Sequence, residues 1–121
     1  MKLIEIELEG KGTVTAELDQ RNPNIAHKFY KILPIETKVK LWGEEIYFEI
    51  PLELDDENAS ASSRKGDISY WSPGNAFCIF FGTTQPYSPV NHIGNVIEGL
   101  DLFQNARDGD RIVLNRKQIL I

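Results

Sequence analysis

A chain of 121 residues, 41% hydrophobic and 26% charged, has the size and composition of one folded domain, not of a disordered or collagen-like polymer. Its net charge of −5 argues against a uniform basic surface for nucleic acid. The single cysteine, Cys78, excludes an internal disulfide; with no signal-peptide pattern it points to a reducing, cytoplasmic setting, and no apolar run reaches the ~20 residues that a membrane helix needs.

Residues 2–9, KLIEIELE, alternate cleanly, with Ile4, Ile6 and Leu8 on one side and Glu5, Glu7 and Glu9 on the other. That is the period of a half-buried strand. GKG at 10–12 makes a turn, and Val14, Ala16 and Leu18 resume the alternation, giving an opening β-hairpin. NPNIAHKFYKILP at 22–34 predicts a helix: Asn22 at the N-cap, Pro23 at the first helical position, Ile25, Phe29, Ile32 and Leu33 in one apolar stripe, and Pro34 as the stop. His27 falls on the wet face of that helix.

VKLWGEEIYFEIPLEL at 39–54 predicts two strands around a turn at Gly43. ELDDENASASSRKG follows, polar and rich in small residues, and predicts the most mobile loop of the chain. Its acidic run, Glu53, Asp55, Asp56 and Glu57, lacks the oxygen spacing and turn glycine of a calcium loop. SYWSPGNAFCIFFG at 69–82 is apolar on both faces, unlike a simple half-buried strand. A second loop, GTTQPYSPVNH, leads to a strand in HIGNVIEG, a short helix in LDLFQNARDG and a closing strand in DRIVLNRKQILI. Gly94 and Gly99 read as turn glycines that need a positive φ. Many short strands and two helices predict a mainly β fold: a closed β-barrel capped by two short α-helices, one domain over residues 1–121.

Four stretches in order resemble the cyclophilin family. They are GTVTAELDQRNPNIAHKF at 12–29, with Pro23, Ala26 and Phe29 in a Pro-x-x-Ala-x-x-Phe pattern; IYFEIP at 46–51; GDISYWSPGNAFCIFFG at 66–82; and GNVIEGLDLF at 94–103. The resemblance is to small prokaryotic cyclophilin-like proteins of unassigned function. It implies the cyclophilin-like barrel, and it brings prolyl isomerisation into question, a reaction with a barrier of about 18–20 kcal/mol. The family's essential arginine, two or three positions before the proline of Ile-Pro, would fall at Phe48, which cannot supply the donor. Its glutamine and phenylalanine on the Phe-rich strand would fall at Phe77 and Ile79, its small alanine at Trp71, and its pocket histidine about two residues from His92.

If Cys78 and Phe80 point into the barrel, then Phe77, Ile79 and Phe81 point out, joined by Phe48 and Trp71 in an apolar groove with His92 beside it. The ligand-binding candidates are therefore Phe48, Trp71, Phe77, Ile79, Phe81 and His92, while Trp42 reads as a packing residue. The bland alternative covers that second apolar face with a cap helix. Cys78 has no cationic neighbour to make it a nucleophile, and its pairing with His92 lacks metal-ligand spacing. No catalytic residue, metal or cofactor is expected. Three functions compete: a binding domain without efficient isomerase activity, for an extended peptide, with or without proline, or for a small apolar ligand; a weak peptidyl-prolyl isomerase that works by desolvation; and a structural domain whose apolar face makes a homodimer. Neither nucleic acid nor membrane is an expected partner.

Overall fold

The computed structural model describes residues 2–118; the end of the expected closing strand, 119–121, lies outside them. The alternating segments fold as read, into β1 (Leu3–Leu8) and β2 (Gly12–Leu18), paired antiparallel from Leu3↔Glu17 to Leu8↔Gly12. The chain continues through α1 (Pro23–Lys31), β3 (Ile35–Lys38), β4 (Lys40–Trp42), β5 (Glu45–Glu49), β6 (Asp67–Trp71), β7 (Ala76–Phe80), β8 (Asn91–Glu98) and β9 (Arg111–Lys117). The nine strands form one antiparallel sheet in the order β3-β9-β1-β2-β8-β6-β7-β5-β4. Its two edge strands, β3 and β4, are separated in sequence only by Val39, so the sheet curls into a nearly closed barrel. Val39 helps hold that corner: its N–H donates to Asp110 O at 2.9 Å, and its carbonyl accepts Gly109 N–H at 2.9 Å.

One of the two expected helices is α-helical. The other, Leu100–Asn105, is a 3₁₀ segment that places Phe103 in the core. Strand β3 was not foreseen, because IETK carries one buried residue, Ile35, and little alternation. Gly99 has the expected positive φ, +89°. Gly94 does not belong with it. It sits where β8 crosses β2, and a side-chain Cβ there would lie 2.2 Å from the Glu17 carbonyl oxygen, so the backbones meet too closely for any other residue.

The polar segment before β6 is not the loose loop its composition predicts. Glu57 Oε1 and Oε2 accept the Ile25 and Asn24 amides at 3.0 and 3.2 Å, capping α1 from a distance. Asn22, expected to cap the helix itself, makes no such bond. Buried, it accepts Asn58 N–H at 2.6 Å and donates to His92 O at 2.7 Å. Leu54 N–H donates to the Tyr70 hydroxyl, Glu57 N–H to Asn91 Oδ1, and Ser60 bridges Val90. These bonds lash the segment across β6 and β8.

Candidate functional site

Strand β7 is buried at all five positions, AFCIF. Its partners reveal which face is which. Phe77 pairs with Phe48 and Tyr70, and Ile79 with Ile46 and Ile68; all six are in the main core. Phe77 stacks on Phe29 of α1 at 5.0 Å and packs against Phe48 at 5.4 Å, while Phe81 meets Phe103 at 6.2 Å. The expected outer set of Phe48, Phe77, Ile79 and Phe81 is therefore interior, the reverse of the face assigned from sequence. The position matched to the family's arginine, Phe48, also points into the core.

Cys78 and Phe80 face the other way. With Val90, and with Tyr47 and Trp71 against them, they form a second apolar cluster on the outside of the barrel. The helix expected over the Phe77 and Ile79 face does cover it, since α1 lays Phe29 on Phe77; the Cys78 and Phe80 face is covered by the connection from β7 to β8, residues 81–90. The β4–β5 turn anchors that connection: Glu44 N–H donates to Thr84 Oγ1 at 2.7 Å, and the Glu44 carboxylate accepts Thr83 N–H at 3.0 Å. The Thr83 amide bond to the carboxylate holds the Glu44 carboxyl below its ordinary pKa.

The cover is incomplete. It leaves a groove of about 230 Å³ lined by Trp42, Glu45, Tyr47, Trp71, Pro86, Tyr87 and Val90. Tyr87 stands edge-on between the two tryptophans, its ring centre 6.0 Å from Trp42 and 6.4 Å from Trp71. Tyr87 is 77% exposed and Trp42 49% exposed, so the mouth opens to solvent and Trp42 is not the packing residue expected. Trp71 is fixed from two sides. Its indole N–H donates to Ser88 Oγ at 2.8 Å, and its ring lies on Gly74, where a Cβ would come within 2.7 Å of it.

Glu45 is the one acid in this lining, and it is buried, 7% exposed. Burial pushes its carboxyl up to about 7, although the Cys78 thiol donates a hydrogen bond to it. The same burial, with the Glu45 charge beside it, raises Cys78 well above an ordinary thiol, so Cys78 is a structural donor and not a nucleophile. Among the described residues no lysine, arginine or histidine lines the groove.

His92 lies in β8 and faces a separate polar cleft with Arg21, Asn22, Asn58, Arg64 and Asp67, not the aromatic groove. Its Nε2 pairs with the Ser62 carbonyl at 2.7 Å, so Nε2 carries a proton, while Nδ1 pairs with Ser69 Oγ at 2.7 Å. Asp67 approaches the same Nδ1 at 3.7 Å. A nucleophilic triad needs its serine and its acid on opposite ring nitrogens, and Ser69 is fully buried, so this trio is structural. Among the described residues no three His, Cys, Asp or Glu side chains gather as a metal site, and no helix is long and apolar enough to cross a membrane. Of the expected site residues only Trp71 lines the groove. Glu45, Trp42, Tyr47, Pro86, Tyr87 and Val90 were missed as a set.

The chain is similar to known proteins along nearly its whole length. The solution structure of the hypothetical protein AF2241 from Archaeoglobus fulgidus superposes with a TM-score of 0.82 at 30% identity, over 96% of this chain and 95% of that one. The structure of McbB in complex with tryptophan superposes with a TM-score of 0.81 at 22% identity. That match takes in 98% of this chain but only 46% of McbB, so it speaks for the fold alone. No curated protein matches. The cyclophilin-like family model spans residues 2–115, which, with the full-length match to AF2241, makes this chain a member of the cyclophilin-like family.

Proposed function

We propose that this domain binds a small, largely apolar molecule in the outer aromatic groove and is not an efficient prolyl isomerase. One observation carries the reading: Trp42, Tyr47, Trp71 and Tyr87 converge around an open cavity of about 230 Å³ instead of closing over it. That size is below the usual range of drug-sized sites, so it suits one or two ring-sized groups. An extended peptide would enter it with a single side chain. The complex of McbB with tryptophan is in keeping with an aromatic ligand on this fold. Efficient isomerisation asks for a hydrogen-bond donor beside the prolyl nitrogen, and no arginine lines the groove.

The chain's only two tryptophans both stand in the groove, so intrinsic fluorescence reads its occupancy directly. Titration with the neutral arene 2-phenylethanol is expected to change the emission saturably. Trp71→Ala is expected to weaken that binding about tenfold, or about 1.4 kcal/mol. A titration flat to millimolar concentration, both with this alcohol and with its amine analogue, would overturn the reading. In a protease-coupled proline isomerisation assay the protein is expected to stay at the uncatalysed rate; catalysis that Trp71→Ala abolishes would favour the isomerase instead.

A further inference from the structure

We propose that the groove is specific for a small organic cation, an alkylammonium or arylalkylammonium ion, with its charge against Glu45 and its carbon frame against Trp42, Trp71 and Tyr87. This rests on the groove reading above and names its ligand class. Two features carry it. First, Glu45 is buried in the lining of the cavity, beside the Cys78 thiol, and among the described residues no cation lines that cavity. A buried carboxylate without a counter-charge is costly, and a cationic ligand would supply that charge.

Second, the walls are aromatic. Two indoles and two phenol rings surround the carboxylate, and the faces of such rings attract a cation that has left water. A carboxylate inside an aromatic box is the arrangement that recognises ammonium groups, whereas a purely hydrophobic ligand would gain nothing from the acid. The titratable groups around Glu45 are the Cys78 thiol from β7, the Tyr47 phenol from its own strand and the Tyr87 phenol from residues 81–90; Lys40 of β4, opposite Tyr47 on the same outer face, lies outside the groove lining. The chain's net charge of −5 favours the approach of a cation as well.

The ligand would compete with a proton. Because the carboxyl titrates at about 7 in the empty protein, ammonium binding should release a proton and weaken about tenfold between pH 8 and pH 6. Cys78 remains a thiol across that range, its pKa being raised.

The test compares 2-phenylethylamine with 2-phenylethanol, equal in size and different in charge, by calorimetry and tryptophan fluorescence on the whole chain. Near pH 8 the amine is expected to bind at least about tenfold more tightly than the alcohol, with affinity falling as pH drops. In Glu45→Gln, which keeps the shape and removes the charge, the two probes should bind equally. Trp71→Ala should weaken both. If the alcohol binds as well as the amine, and Glu45→Gln changes neither, the cation inference is overturned while the groove reading stands. If neither probe binds at millimolar concentration, both are overturned.

Discussion

Replacing Phe77 by alanine is expected to lower the stability of the fold by about 3–5 kcal/mol, read as a drop in the urea midpoint without a change in slope. Phe77 is fully buried and joins three elements. It stacks on Phe29 of the helix, packs against Phe48 across the β5–β7 pair, and sits opposite Tyr70 across the β6–β7 pair. Removing the ring leaves a cavity that neither rigid strand can close. On a surface groove the same change would cost less than about 1 kcal/mol and would affect only binding, so a small effect would contradict the interior placement. Serine at Phe48 and Ile79 is expected to behave as a core lesion for the same reason.

Glu45→Gln is expected to act in the opposite direction, and only above the acid range. The folded carboxyl titrates at about 7 against an ordinary value of 4.5. Below 4.5 both folded and unfolded chains hold the proton, and Glu45 costs the fold nothing. Between 4.5 and about 7 the unfolded chain ionises and the folded one does not, so stability falls as pH rises. Above about 7 the penalty is constant, up to about 3 kcal/mol. The paired carboxylates Glu44, Asp56 and Asp110 have lowered values and contribute the opposite slope at more acid pH. The difference between wild type and Glu45→Gln isolates the one residue. It should be near zero around pH 4.5 and reach up to about 3 kcal/mol in favour of the variant at pH 8. A variant no more stable than the wild type at pH 8 would mean that the carboxylate is well solvated. An acid that lowers stability at neutral pH is explicable where it serves binding.

The barrel was largely legible because period-2 alternation marks β1, β2 and β5 directly, and a proline-led apolar stripe marks α1. The site was not, because β7 is apolar at every position and carries no phase of its own. Its neighbours do carry one. In β5, EIYFE sets Ile46 and Phe48 against Glu45, Tyr47 and Glu49; in β6, DISYW sets Ile68 and Tyr70 against Asp67, Ser69 and Trp71. Pairing transfers that phase to β7 and turns Phe77 and Ile79 inward. The same phase turns Cys78 outward, beside Glu45. The cover that residues 81–90 form over the Cys78 face is not legible locally, since nothing in TTQPYSPV says which face it crosses. The cap on α1 from Glu57 is equally nonlocal, 32 residues away from the amide it accepts.

Whether the ligand face of this barrel carries Trp71 and Glu45, and not Phe77 and Phe48, is decided by following the 2-phenylethanol titration residue by residue in NMR spectra. The indole N–H resonances of Trp42 and Trp71 and the amides around Glu45 and Tyr87 are expected to shift together and saturate, with the Phe29–Phe77–Phe48 core unmoved. Shifts confined to that core, or to the polar cleft around His92, would contradict it.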